Sequence, residues 1–196
     1  MKNPLMAALA TVFTFTLALS ANAQTNYDQY WGAGLGSTDS DQCSGIAACD
    51  DTAAGVKLFY GRDLHNNFAF ETGWAYNGGA AFTFAGNRNE ALIQSVFGDA
   101  VGKLPIGERV TLFAKVGAHY WFLQNEYQGG DDDDNGIGLH FGLGGDFQID
   151  DRNGIRVEFE RFKAKPTANV GVGNTVVEVE GDFDIDRFGV SYIRRF

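Results

Sequence analysis

The sequence predicts an all-β chain that closes into an eight-stranded antiparallel β-barrel. Eight segments alternate apolar with polar or small residues at every second position, as a strand does when its successive side chains face opposite sides of a sheet. The connectors between them are rich in Gly, Asn and Asp, the residues that turns favour. Short and long connectors take turns along the chain, so the two ends of the sheet are built differently.

An apolar run precedes the strands. Lys2 stands before an uncharged stretch from Pro4 to Ser20, and Ala21-Asn22-Ala23 places small residues where a signal peptidase reads them. The stretch is short for a membrane-spanning helix, which needs roughly 20 apolar residues. Residues 1–23 are therefore expected to be a cleaved export signal, with Gln24–Phe196 as a single barrel domain. No cysteine stands at the cut, so no lipidated N-terminus is expected.

The first segment, Tyr30 to Gly36, sets Trp31, Ala33 and Leu35 against glycines. In the second, Gly55 to Arg62, Val56, Leu58 and Tyr60 oppose Lys57, Phe59 and Gly61. The third sets Phe68, Phe70, Thr72, Trp74 and Tyr76 against Ala69, Glu71, Gly73 and Ala75. The fourth, Leu92 to Lys103, is assigned Leu92, Val96, Gly98 and Ala100 outward with Asp99 inward. The fifth alternates most regularly: Val110, Leu112, Ala114, Val116, Ala118 and Tyr120 against Thr111, Phe113, Lys115, Gly117 and His119. The sixth opposes Ile137, Leu139, Phe141, Leu143 and Phe147 to His140, Asp146 and three glycines. The seventh opposes Ile155, Val157 and Phe159 to Arg156, Glu158 and Glu160. In the eighth, Phe188, Val190, Tyr192 and Phe196 oppose Arg187, Gly189, Ser191 and Arg195.

Alternation alone does not say which face is outside, since a soluble exported barrel would hide the apolar side. The polar faces, however, are rich in Gly and carry few charges, of both signs, whereas a solvated face carries many Lys and Glu. Aromatic residues gather near the segment ends (Tyr30, Trp31, Trp74, Tyr76, Tyr120, Trp121, Phe196), as in the two interfacial girdles of a membrane barrel. The reading is a transmembrane β-barrel of the outer-membrane type. Its short connectors, Asp63–Asn67, Leu104–Glu108 and Asp150–Asn153, are assigned to the periplasm. Ser37–Ala54, Asn77–Glu90, Leu123–Gly136 and Ala164–Gly181 become cell-surface loops. A 14% aromatic content with 17 Phe excludes a disordered chain, and a net charge of −10 argues against nucleic acid as partner.

The predicted lumen collects Lys57, Lys115, Arg156 and Arg187 with Glu71, Asp99, Asp146, Glu158 and Glu160. A ring of one sign would select ions; this mixture points to a salt-bridged plug, because an unpaired buried charge costs several kcal/mol. Cys43 and Cys49 share the first long connector, and a cysteine pair in an exported chain reads as a disulfide. Asp131, Asp133 and Asn135, followed by Gly136, match the opening of a calcium loop. The twelfth position is Gly142 rather than Glu, so the segment reads as a solvated acidic loop tip and no metal site or cofactor is expected. His119 and His140 face inward on one hairpin and are expected opposite each other, with no third ligand nearby. The three histidines are scattered and no G-x-S-x-G occurs, so no enzyme is expected.

The closing segment Gly189-Val190-Ser191-Tyr192-Ile193-Arg194-Arg195-Phe196 has a terminal aromatic and another four residues earlier. With Lys57-Leu58-Phe59-Tyr60-Gly61, Gly102-Lys103-Leu104-Pro105-Ile106-Gly107 and Arg156-Val157-Glu158-Phe159-Glu160-Arg161-Phe162, it resembles the small OmpA-like and OmpX-like outer-membrane barrels. The resemblance implies a barrel without the peptidoglycan-binding domain of longer members. It also implies Gly189, Tyr192 and Phe196 as a signal for the outer-membrane assembly machinery, and contact with outer-membrane lipids including lipopolysaccharide. The expected protein is a monomer in the outer membrane of a Gram-negative-type bacterium, with a structural or surface-interaction role. A narrow passive channel is the competing expectation.

Overall fold

The computed structural model describes residues 28–40, 49–50, 52–84, 87–127, 130–165, 167–172, 175–180 and 183–196, with side chains for 28–40, 52–78, 92–124, 134–165 and 184–196. The strands are β1 (Gln29–Ser40), β2 (Cys49–Asp50), β3 (Thr52–His65), β4 (Phe68–Phe84), β5 (Asn87–Ile106), β6 (Val110–Tyr127), β7 (Gly130–Gln148), β8 (Asn153–Ala164), β9 (Thr167–Val172), β10 (Thr175–Glu180) and β11 (Phe183–Arg195). Eight of them, in the order β4, β3, β1, β11, β8, β7, β6 and β5, are hydrogen-bonded neighbours, and β5 pairs again with β4. Every pairing is antiparallel. The sheet thus closes on itself as an eight-stranded barrel without an edge, which is how a β structure satisfies its backbone in lipid. β9 and β10 form a separate hairpin, and β2 adds two pairs to β4.

Following paired residues once round, from Tyr30 through Gly61, Glu71, Asp99, Gly117, His140, Phe162 and Ile185, leads back to β1 at Ser40, ten residues along. This stagger tilts the strands by about 40° and fixes a bore just wide enough for side chains to fill. Burial alternates along the wall. On β8, Arg156, Glu158, Glu160 and Phe162 are buried, while Ile155 and Phe159 are exposed.

Inward glycines set the spacing of that filling. A Cβ on Gly61 would strike the Tyr30 ring, one on Gly32 the Phe59 ring, and one on Gly136 the Trp121 indole. Each leaves the room that a large neighbour uses, so large and absent side chains alternate across a narrow cylinder. At the periplasmic end, Gly107 adopts a positive φ of 78° in the β5–β6 turn, a conformation glycine adopts without steric cost. The β7–β8 turn is held by Asp150, whose Oδ1 accepts from the backbone N–H of Arg152 (2.9 Å) and of Asn153 (2.8 Å).

The strands run further toward the cell surface than the sequence suggests. Two expected connectors, Asn77–Glu90 and Leu123–Gly136, are largely ladder: β4 reaches Phe84 before β5 begins at Asn87, and β6 reaches Tyr127 before β7 begins at Gly130. Asp131, Asp133 and Asn135 consequently lie on β7, paired with Glu126, Gln124 and Phe122, and not at a loop tip. The composition of these stretches disfavours strands, but a hairpin already in register continues its ladder by adding one backbone pair at a time. Two expected girdle residues are also corrected. Tyr30 and Trp121 are 1% and 3% exposed and fill the lumen, whereas Trp31, Tyr120 and Phe196 face outward. Residues 1–23 and Cys43 lie outside the described residues, and Cys49 is described by its backbone alone.

Gly138 lies against the Lys163 carbonyl and the His119 ring. Replacing it by Val is expected to cost about 1–3 kcal/mol by overpacking, measured by urea unfolding in detergent micelles. Gly145→Ala faces outward, where the nearest atom to a new Cβ is on Leu112 at 3.5 Å, and should leave stability unchanged. Hydrogen bonds from Asn153 and Arg152 hold the Asp150 carboxyl below its ordinary range. The associated stability is present above the unfolded aspartate value of about 3.9 and lost as pH falls through the lower folded value. Asp150→Ala should therefore be less stable than wild type at neutral pH, and the deficit should shrink on acidification in the same unfolding assay.

Candidate functional site

Seven walls of the barrel contribute charge to one buried cluster. β8 supplies Arg156, Glu158 and Glu160; β3, β4, β5, β6, β7 and β11 supply Lys57, Glu71, Asp99, Lys115, Asp146 and Arg187. All nine are buried. Their placement follows from parity: three alternate positions of one strand, Arg156, Glu158 and Glu160, must face the same way.

Lys115 lies at the middle of the cluster. Its Nζ stands 2.8 Å from Glu158 Oε2, 2.6 Å from Glu160 Oε1 and 4.0 Å from Glu71 Oε2. Lys57 Nζ binds Glu158 Oε1 from the facing wall and lies 3.0 Å from Glu160 Oε1. Arg187 donates through Nη1 to Glu160 Oε2 at 2.7 Å. Below, Arg156 forks onto Asp146, with Nε and Nη2 donating at 2.7 and 3.0 Å, and its Nη1 donates to Glu71 Oε1 at 2.6 Å. The guanidinium also lies 4.3 Å from the Phe113 ring centre and 4.8 Å from that of Phe59, a cation–π arrangement strengthened by loss of water. Tyr30, missed as a lumen residue in the sequence, donates its hydroxyl to Glu71 Oε1 at 2.7 Å.

Asp99 joins this group through His140, whose Nδ1 lies 2.9 Å from Asp99 Oδ1 and whose Nε2 lies 3.3 Å from Glu160 Oε1. His140 stacks on Phe162 with ring centres 4.0 Å apart and 13° between planes. His119 pairs in register with Gly138, not with His140, so the two imidazoles are diagonal neighbours 6.5 Å apart. His119 places Nδ1 3.1 Å from Ser95 Oγ and Nε2 2.9 Å from the Lys163 carbonyl, so both ring nitrogens already have protein partners. On the cell-surface side of the charges, Phe97, Phe162, Ile93, Ile185, Trp121 and Ala164 join in one apolar cluster.

Toward the periplasm lies a second, smaller group of charges. Lys103 Nζ is 2.6 Å from Asp63 Oδ1, and Arg195 Nη1 is 3.4 Å from Asp63 Oδ2. Arg195 also approaches Asp146 Oδ2 at 4.0 Å, linking this group to the central cluster. Asp63 and Lys103 sit at the ends of predicted segments, where sequence gives no parity by which to place them. Of the proposed assembly residues, Gly189 faces the lumen beside Arg187, while Tyr192 and Phe196 lie on the outer face of the closing strand. Tyr192 meets Trp31 edge-on at 5.9 Å, and Phe196 lies 6.4 Å from Tyr60.

Removing one partner of a buried pair leaves the others uncompensated. Lys115→Met should cost about 3–5 kcal/mol of unfolding free energy on that basis. Arg62, paired with Asp28 at 3.8 Å across an exposed surface, gives the contrast: Arg62→Met should cost about 0–1 kcal/mol. Equal losses for the two variants in urea titrations would contradict the ranking.

Comparison with known proteins places this geometry. Comparison with curated protein sequences gave no match. Among solved structures, the Neisserial surface protein A superimposes with a TM-score of 0.63 at 13% identity, over 86% of this chain and 97% of that one. Ail, the attachment invasion locus protein of Yersinia pestis, gives 0.56 at 15% identity, over 86% and 97% of the two chains. The N-terminal β-barrel domain of Pseudomonas aeruginosa OprF gives 0.53 at 8% identity, over 85% and 97%. These likenesses show a shared fold. A family model described as the outer membrane protein beta-barrel domain matches residues 8–196, and the chain belongs to that family of bacterial outer-membrane proteins.

Proposed function

We propose that the barrel is a closed cylinder whose role is structural and surface-directed, with the lumen sealed by its own ion pairs. The observation that carries this reading is the position of Lys115, which lies within 4.0 Å of Glu71, Glu158 and Glu160 at full burial. Cations and carboxylates from opposite walls meet across the axis, so the bore is occupied by side chains at mid-height. The aromatic cluster of Phe97, Phe162 and Trp121 adds an apolar layer on the cell-surface side. Toward the periplasm, a cavity of about 20 Å³ lies beside Asp146, Ile193 and Arg195, room for about one water.

A sealed barrel acts through what it anchors and displays. The outward apolar residues hold it in hydrocarbon. The strands β4 to β7 carry their ladders past the belt and lift acidic residues such as Asp131 to Asp134 toward the cell surface. Negative charge there repels phosphate-rich surfaces unless divalent cations intervene.

Purified protein inserted in planar lipid bilayers tests the seal. The expected result is baseline current, without steady openings, in both 0.1 and 1 M salt, values of about that order being chosen because screening changes strongly between them. Large, steady conductance from the wild-type protein would replace the closed cylinder by the narrow channel.

A further inference from the structure

The apolar belt does not have one height around the barrel. On β11 only Phe188, Val190 and Tyr192 form the outward apolar row, bounded by Asp186 above and Arg194 below. β8 repeats the pattern: its outward row runs from Ile155 to Phe159 and ends at Arg161 and Lys163. On β1 the row is Trp31 to Leu35, followed by Ser37 and Asp39; on β3 it is Ala54 to Tyr60, bounded by Thr52 above and Arg62 below. The opposite wall is different. Outward positions stay uncharged and mostly apolar from Leu112 to Phe122 on β6 and from Ile137 to Phe147 on β7. With about 3.3 Å per residue and a tilt of about 40°, three outward positions cover roughly 10 Å of height and six cover roughly 25 Å. Only the taller wall matches the belt of about 25 Å that a membrane barrel presents to hydrocarbon.

Neighbouring strands make the step explicit. Arg161 pairs directly with Phe141; the next outward residues toward the cell surface are Leu139 and Ile137 on β7 but Lys163 and Lys165 on β8. The ionic groups on the short wall are already matched. Arg161 donates to both carboxylate oxygens of Asp186 at 2.6 and 2.5 Å, and Lys163 donates to Asp184 at 3.1 Å, while Arg161 and Lys163 stay 44% and 48% exposed. Such pairs are stable beside water or lipid headgroups. A protein partner seated on them would have to strip their solvent without offering new charges in return.

We propose that the wall formed by β3, β1, β11 and β8 is an interaction surface for lipid headgroups at a depth where the opposite wall meets hydrocarbon, so that the bilayer is locally thinned along the seam between first and last strands. Mismatch of this kind is accommodated by bilayer thinning at a modest cost per ångström. The seam then marks the side on which headgroups and water come nearest the mid-plane, and it gives the barrel a fixed facing in the membrane.

Amide relaxation in lipid nanodiscs holding one barrel each tests this on the wild-type protein. A water-soluble gadolinium chelate should broaden the Arg161 and Asp186 amides at least threefold more than that of Leu139, and a mid-chain nitroxide lipid should give the reverse order. Equal protection of Arg161 and Leu139 from the chelate would overturn the proposal, since hydrocarbon would then be of one thickness. Protection of the seam from both probes would also overturn it, because a protein would then cover the seam. In a second arm, Arg161→Leu combined with Asp186→Leu extends the apolar row, and the chelate effect at both positions should fall to the Leu139 level. An unchanged chelate effect in that variant would count against the ion pairs as its cause. Current through the barrel does not enter either readout, so the outcome is independent of whether the lumen is sealed.

Discussion

Closure of eight strands with a stagger of ten residues creates an interior that only side chains can fill. The constraint is strict because lipid surrounds the wall: apolar residues are drawn outward, so the alternate, polar positions are forced into a narrow dry space. A charge in that space needs a partner within a few ångströms. The cluster around Lys115 answers by bridging walls that are far apart in sequence, with Lys57 and Glu160 separated by 103 residues. The ion pairs thereby bear on register as well as on charge, since a slip of one residue would send every member of a strand's inward set into lipid.

Glycine and bulk alternate across this interior. Gly142 accommodates the Lys115 chain, Gly144 the Phe113 ring and Gly189 the Arg187 guanidinium. A long cation can reach the axis because a glycine beside it, on the next strand for Lys115 and two residues along its own for Arg187, has no side chain. The glycine-rich inward faces and the large buried residues are therefore two halves of one packing solution. The cost is sensitivity: a methyl added at inward glycines such as Gly61 or Gly138 meets ring or backbone atoms within 2.5 Å, whereas at the outward Gly98 and Gly102 nothing lies closer than 3.5 Å.

Much of this was legible in the sequence, and the failures are informative. The period of two assigned facing for residues such as Lys57, Glu71 and Arg156 because a strand in lipid tolerates no exception near mid-height. Tyr30 and Trp121 were placed in the outer girdles on composition, although each adjoins an outward aromatic, Trp31 and Tyr120. Alternation forbids both members of such a neighbouring pair from facing outward, so the pattern held the answer and residue type obscured it. The register of the β6–β7 hairpin was misjudged by two residues, which placed His119 opposite His140 instead of Gly138. Parity survives a shift of two, so no alternation pattern could have detected it. Strand ends were lost for another reason: beyond the belt, Gly, Asn and Asp no longer report on burial, and pairing there is inherited from the wall below.

A lumen lined with ion pairs also bears on how such a chain reaches its membrane. A buried ion pair is weak as a source of stability, and well-packed apolar residues could often fill the same space as well. An apolar lumen, however, would make every strand apolar on both faces. The segment from Ile155 to Glu160 would then be a continuous hydrophobic run, prone to pair with other chains before the barrel closed. With Arg156, Glu158 and Glu160 in place, the same segment stays polar at every second position until closure buries those charges. The mean hydropathy of −0.18 for a membrane-spanning chain expresses this compromise. The charges that pair inside the finished cylinder are also the groups that keep the unfolded chain polar on the way to it.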